Sequence, residues 1–327
     1  MLGQVIAPTR GCHIGIETHM TDGYQALRHG AAWLDLSARG RFLARGRDRA
    51  RYFHNVTSND VKKLAPGSGC YAFVLTPQGR IQADLYMFCF ADHFLLDTEP
   101  ELRDRLPQLI LRYKVADQVE LEDVTGQTAA IGLEGPAAAA ILASINAPIP
   151  GADYAHLPWG DATIAAFSLT GQPGFRIYCP AGALGEMATR LEAAGAKPAS
   201  FAEARMVRIE NGRPRFGEDI RETSLPQETG QMHAVSFTKG CYVGQEIVER
   251  IRAQGHVNRK LVRLEVEAAA PPAPGAKLTA DGADVGEVTS STVSAESGKA
   301  VALGYVRTTH ANSGMALAAG EVPARVL

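Results

Sequence analysis

The stretch of this chain best suited to chemistry is Lys239-Gly240-Cys241-Tyr242-Val243-Gly244-Gln245-Glu246. Two glycines bracket a cysteine and a tyrosine, which permits a tight, partly strained loop that a regular strand or helix would not use. A lysine two residues before a thiol can favour the thiolate, the nucleophilic form of cysteine. Cys241 and Lys239 are therefore the candidate catalytic pair. Tyr242 could stack on an aromatic ligand, and Gln245 stands where a following helix begins. The plain alternatives are a buried apolar cysteine, a solvated lysine, a core tyrosine, and a Glu246 that only compensates the helix dipole.

Two further groups could do chemistry. Along Ile81 to Phe90 the alternation sets Ile81, Ala83, Leu85 and Met87 on one face and Gln82, Asp84, Tyr86 and Phe88 on the other. Asp84 can then be an ordinary exposed strand residue or a carboxylate facing an internal cavity. Arg208, Arg213, Arg215 and Arg221 form a cationic run ahead of the cysteine loop. Arginines of this kind grip carboxylates with two parallel hydrogen bonds. Arg215 is the better candidate, because Arg208 reads as helix-borne and structural. The run Arg41, Arg45, Arg47, Arg49 and Arg51 is interrupted by Asp48 and reads as a solvated face.

The elements that must hold these residues are mixed. Cys70 to Leu75 turns at Pro77-Gln78-Gly79 into Ile81 to Phe90 as a strand pair. Apolar residues at Leu102, Leu106, Leu109, Ile110 and Tyr113 trace a helix over 99–113. Thr163 to Leu169 and Phe175 to Cys179 flank a turn as a hairpin, and 182–194, 200–210 and 246–253 read as helices. From Leu261 onward the pattern alternates as strands, with Asp281-Gly282 as a hairpin turn. Proline-bearing breaks at 147–151 and 268–275 suggest boundaries, the second being the better linker. Three regions follow, at 1–147, 148–256 and 257–327: two α+β regions and a small β-barrel.

Composition narrows the function classes. The 327 residues are 46% hydrophobic and 21% charged, with net charge −2, as expected of an ordinary globular protein with no electrostatic pull toward nucleic acid. Five scattered cysteines (Cys12, Cys70, Cys89, Cys179, Cys241) without C-x-x-C spacing argue against zinc or a disulfide framework. The histidines, including His13, His19, His54, His156, His233 and His256, are too dispersed for a metal site. Met1 to His13 lacks a secretory pattern, no stretch approaches the roughly 20 apolar residues that span a bilayer, and a cytoplasmic location is expected.

Lys239 to Glu246 resembles the signature of the YgfZ-type folate-binding proteins, relatives of the glycine cleavage T-protein (aminomethyltransferase) that include iron–sulfur assembly factors. Further blocks in the same order resemble that family. They are Leu34-Asp35-Leu36-Ser37, Thr57-Ser58-Asn59-Asp60-Val61, Pro77 to Phe88, Thr170 to Phe175, Arg208 to Gly212, Phe216 to Ile220 and Leu225 to Glu228. The resemblance implies an α+β fold: a multidomain ring of two mixed antiparallel-sheet domains plus a C-terminal β-barrel, with tetrahydrofolate in a central hole. It implies an accessory role in iron–sulfur cluster assembly or repair, with iron–sulfur client or assembly proteins as partners and no membrane or nucleic acid. The alternative is a folate-dependent aminomethyltransferase of glycine- or sarcosine-type breakdown. Asp84, Tyr242, Gln245 and Arg215 become candidate folate-binding residues, with Arg215 suited to the folate glutamate tail. Three departures from the T-protein pattern favour the cysteine-bearing branch. Ala83 replaces the first of two aspartates, Arg176 replaces an acid, and Gln245 stands in place of an arginine.

Overall fold

The computed structural model describes residues 21–327. Cys12, His13, His19 and the leader reading of Met1 to His13 lie outside them. The described chain is α+β, with two antiparallel sheets and a closed barrel. The five-stranded sheet runs, in spatial order, Gly69–Leu75, Ile81–Cys89, Phe94–Thr98, Gly40–Arg45 and Glu120–Asp123. Its second strand follows the sequence pattern closely. Ile81, Ala83, Leu85 and Met87 are fully buried in the core, while Asp84 and Tyr86 face a cavity on the other side.

The six-stranded sheet runs Lys197–Pro198, Ala32–Asp35, Thr128–Glu134, Gly174–Pro180, Ala162–Ala166 and His156–Trp159. All neighbours are antiparallel except the two-residue edge piece, which lies parallel to Ala32–Asp35. Thr128–Glu134 pairs with Ala32–Asp35 on one side and Gly174–Pro180 on the other, so a boundary at 147 cuts through this sheet. The expected 1–147 and 148–256 regions therefore do not correspond to the two sheets. The prolines at 148 and 150 belong to a connection within one sheet.

The barrel strands are Arg259–Val266, Ala300–Arg307, Ala283–Val293, Lys277–Ala280, Ala316–Ala319 and Val322–Val326, and each pairs with two neighbours. Closure leaves no unpaired edge, and Leu264, Val266, Leu278, Val288 and Val306 fill the interior. The proline-rich 268–275 segment joins two barrel strands, so it is a barrel loop and not an interdomain linker. The apolar stripe over 99–113 resolves into a short 3₁₀ turn, Pro100–Leu102, and a helix, Leu106–Leu111. Pro107 accounts for the split, since proline is tolerated only in the first turn of a helix.

The helix Phe201–Glu210 joins the sheets to the barrel. Ser200 and Glu203 form a reciprocal cap at its start, and Ile209 near its end packs on Val301 and Leu303 of the barrel. Arg41 corrects the reading of the arginine run as a solvated face. It is fully buried and donates to the carbonyls of Ser37, Arg39, Thr125 and Thr128, tying the two sheets together. Among the described residues no helix is long and apolar enough to cross a membrane.

Candidate functional site

Between the two sheets and the Phe201–Glu210 helix lies a cavity of about 900 Å³, including the part open to solvent. Its walls come from every element the fold brings to this point. Leu34 to Arg39 and Thr170 belong to the six-stranded side, Tyr71, Asp84, Tyr86 and Glu99 to the five-stranded sheet, and Arg208 to Arg215 to the helix end. The barrel contributes none of the lining. Its part is to hold the helix that does.

Asp84 is the most unusual group in this cavity. It is buried, accepts a 2.7 Å hydrogen bond from the Tyr71 hydroxyl at Oδ2, and leaves Oδ1 with no partner among the described residues. Burial, with the Glu99 carboxylate as the next cause, raises its ionisation to about pH 7. A buried acceptor without a donor is costly unless a ligand supplies one. Tyr71 sits opposite Tyr86 in the strand pairing, with ring centroids 4.8 Å apart, and the two make an aromatic floor beside the acid.

A web of ion pairs supports the same wall. Arg39 bridges Asp97 at 2.5 Å and Glu99, while Arg176 and the Tyr178 hydroxyl also reach Asp97, at 3.2 and 2.8 Å. Burial alone would raise the ionisation of Asp97, but Arg39 and Arg176 hold it below the usual carboxylate range. Arg176 is fully buried, stacks on Phe167 at 4.7 Å and does not line the cavity. Ala83, at the other departure from the T-protein pattern, faces the core, so Asp84 is the acid that this strand offers to the cavity.

Arg215 lines the cavity but is already committed. Its guanidinium pairs with Glu99 at 2.9 Å and grips Glu101 through both oxygens at 2.6 and 2.8 Å. Arg213, two residues earlier, is the arginine that sequence reasoning passed over. It lines this cavity and the neighbouring pocket at Asp153, Tyr154 and His233, and among the described residues it has no carboxylate partner. Nothing in the sequence separates the two arginines. Only the fold shows that Arg215 is taken by carboxylates while Arg213 meets the Tyr154 hydroxyl instead.

The cysteine loop lies elsewhere. Cys241 is exposed; Cys70, Cys89 and Cys179 are buried. Lys239 turns inward, and its ammonium donates to the carbonyls of His54, Thr57 and Asn59, the latter two at 2.7 and 2.8 Å. All three of its protons are used there, so the expected pairing with the Cys241 thiol gives way to a cap on the end of the Arg49–Val56 helix. Burial brings its ionisation down to about pH 8. Tyr242 is buried under that ammonium, 4.7 Å from ring centroid to Nζ, and does not reach the cavity. Gln245 begins the Gln245–Gln254 helix, with its backbone N–H on the Tyr242 carbonyl, and also lies outside the lining. Gly244 has φ +84°, and a Cβ there would stand 2.6 Å from the Thr76 carbonyl oxygen, so the second glycine is set by packing against the strand turn. Of the six sequence-predicted site residues, the fold brings Asp84 and Arg215 to the cavity and places Lys239, Cys241, Tyr242 and Gln245 outside its wall.

The GCVT N-terminal domain family matches residues 14–239, and the glycine cleavage T-protein C-terminal barrel domain matches 259–327. Among curated relatives, a chloroplastic candidate transferase of Arabidopsis thaliana is 30% identical over 312 residues, covering 92% of this chain and 71% of that one. An aminomethyltransferase of Rubrobacter xylanophilus is 29% identical over 294 residues, covering 86% and 78%. The crystal structure of the glycine cleavage system aminomethyltransferase T from Bartonella henselae superposes with a TM-score of 0.84 at 22% identity, over 93% of this chain and 87% of that one. That last likeness concerns the fold.

Proposed function

Because this chain belongs to the glycine cleavage T-protein (GCVT) family, we propose that it binds tetrahydrofolate in the cavity at Asp84 and acts as a folate-dependent transferase of the aminomethyltransferase kind. The observation that carries this reading is the unpartnered Oδ1 of Asp84 in a buried, aromatic-floored cavity. A reduced pterin offers ring N–H and amino donors to such an acceptor, and the ring N5 together with N10 of the aminobenzoyl linkage carries the one-carbon unit. Tyr71 and Tyr86 would pack on the ring, and Asp84, ionising near neutrality, can take or return a proton there. Arg213, free of carboxylates, suits the glutamate tail better than Arg215 does.

Calorimetric titration with tetrahydrofolate tests the binding, and release of ammonia from an aminomethylated carrier tests the transfer. Saturable one-site binding is expected. A protein that takes up no tetrahydrofolate would remove this reading. Within it, Arg213→Ala should weaken tetrahydrofolate by about tenfold and leave a tail-less pterin unaffected, the loss of one charge-assisted contact. Arg215→Ala should act through stability instead.

A second reading, an accessory role in iron–sulfur cluster assembly or repair with client proteins as partners, draws on Cys241. Its thiol is exposed, outside the cavity wall, and unneeded for holding a folate. The named relatives are transferases, which favours the first reading. Absence of ammonia release, together with loss of cluster-enzyme activity in cells carrying Cys241→Ser, would reverse that order.

A further inference from the structure

We infer that Lys239 is a positioning residue for Asp84, acting through the Thr57–Asp60 segment and Tyr71 and not through the neighbouring cysteine. This rests on the reading of Asp84 as the ligand-binding acid. The connection is continuous. Lys239 holds the carbonyls of Thr57 and Asn59. The Asn59 side-chain amide then donates to the Tyr71 carbonyl at 2.8 Å and to the His233 carbonyl at 3.0 Å. Ser58 doubles the tie: its hydroxyl donates to the Ala234 carbonyl at 2.5 Å and accepts from the Phe73 N–H at 2.9 Å. Tyr71 closes the path with its hydroxyl on Asp84.

Each link has a local cause. The carbonyls at the end of the Arg49–Val56 helix lack intrahelical donors, and a cation is favoured at that end. Burying an ammonium is tolerable only if its protons find acceptors, and the three carbonyls provide them. Asn59 then fixes both the strand that carries Tyr71 and the segment that carries His233, whose ring stacks on Tyr71 at 5.4 Å. Without the lysine, the Thr57–Asp60 segment keeps its Ser58 ties but loses the group that holds the Thr57 and Asn59 carbonyls. Tyr71 keeps its place in the strand pairing, but the His233 ring stacked on it loses its anchor through Asn59. The Tyr71 ring can then tilt, and the acid loses the hydroxyl that fixes its rotamer.

The test uses Lys239→Met, which keeps the stem and removes the charge, and Asn59→Ala, which cuts the next link without touching the lysine. Cys241→Ser is the control. The carboxyl carbon of Asp84 is followed by NMR through a pH titration of the ligand-free protein, identified by its loss in Asp84→Asn. The groups that face this carboxyl and set its midpoint are Glu99, Tyr71, Arg39, Arg215 and Tyr86. Lys239→Met and Asn59→Ala should each move the midpoint by about half a pH unit or more through a displaced Tyr71 hydroxyl. Each should weaken tetrahydrofolate by about tenfold, with Cys241→Ser changing neither. Lys239→Arg should restore part of the effect, since a guanidinium can also donate to carbonyls. If Lys239→Met does not fold, Asn59→Ala decides. Folded variants with the wild-type Asp84 midpoint overturn the proposal. A midpoint that moves in a protein that binds no tetrahydrofolate would uphold the positioning role while removing the folate reading.

Discussion

The cavity at Asp84 and the loop at Cys241 differ in how far their buried charged groups are satisfied. In the cavity a buried carboxylate keeps one oxygen unmet, and a nearby arginine has no acid to answer it. In the loop every proton of the lysine is spent on backbone carbonyls, the thiol lies in solvent, and the Tyr242 hydroxyl is buried without a partner among the described residues but away from the cavity. An unmet charge beside open space can receive a ligand, whereas a met one holds a shape. The loop's glycines and lysine are demanded by how it docks, and that demand looks, in sequence, like chemistry.

The largest expected effect bears on the cavity. Asp84→Asn should cut tetrahydrofolate affinity by about a hundredfold or more, the loss of charge-assisted bonds at a buried site. In the wild-type protein affinity should rise with pH and level off above about pH 7, because the ionised acid accepts from pterin N–H groups more strongly than the protonated one. The same group acts on stability with the opposite sign. An acid whose folded ionisation lies above its unfolded value near 4 stabilises the fold most at low pH, and that contribution is lost as pH rises through about 7. Asp84→Asn should therefore flatten the melting temperature between about pH 4 and 7. A flat wild-type profile would break the contrast between the regions.

A smaller effect sharpens the loop side. Gly244→Ala forces a side chain into a left-handed backbone and against the Thr76 carbonyl. It should destabilise by about 2 kcal/mol or more, read as a lower denaturation midpoint at unchanged slope. Little loss would mean that the loop is not locked to the strand turn. The smallest effect is expected of Cys241→Ser. Stability should stay within about 0.5 kcal/mol and tetrahydrofolate affinity should be unchanged. A drop in affinity would draw the loop into the ligand site after all.

How much of this was readable beforehand depends on the distance over which each feature is decided. The alternation from Ile81 to Phe88 is decided residue by residue, and it correctly set Asp84 and Tyr86 apart from the core-facing side chains. The alternating tail likewise announced the barrel. Lys239 was out of reach because its acceptors lie some 180 residues earlier, at the end of a helix. Arg213 and Arg215 share a neighbourhood in sequence and part company only when Glu99 and Glu101 arrive from another sheet. The boundary at 147 failed for a like reason. A proline-rich break marks a loop, but whether that loop leaves a sheet or returns to it is written in Thr128–Glu134, which pairs with Ala32–Asp35 on one side and, across the break, with Gly174–Pro180 on the other.

That pairing has a consequence for how the molecule comes into being. Ala32–Asp35 sits between a partner about 100 residues downstream and a second one at Lys197–Pro198. As the chain leaves the ribosome, this early strand must wait, unpaired, until Thr128–Glu134 has been made. The five-stranded sheet, whose last strand ends at Asp123, can assemble in the meantime. Long-range pairing of this kind slows assembly and leaves edges exposed to wrong partners. The Asp84 wall is thus built before the opposite wall exists, and the pocket closes only once the second half has been made.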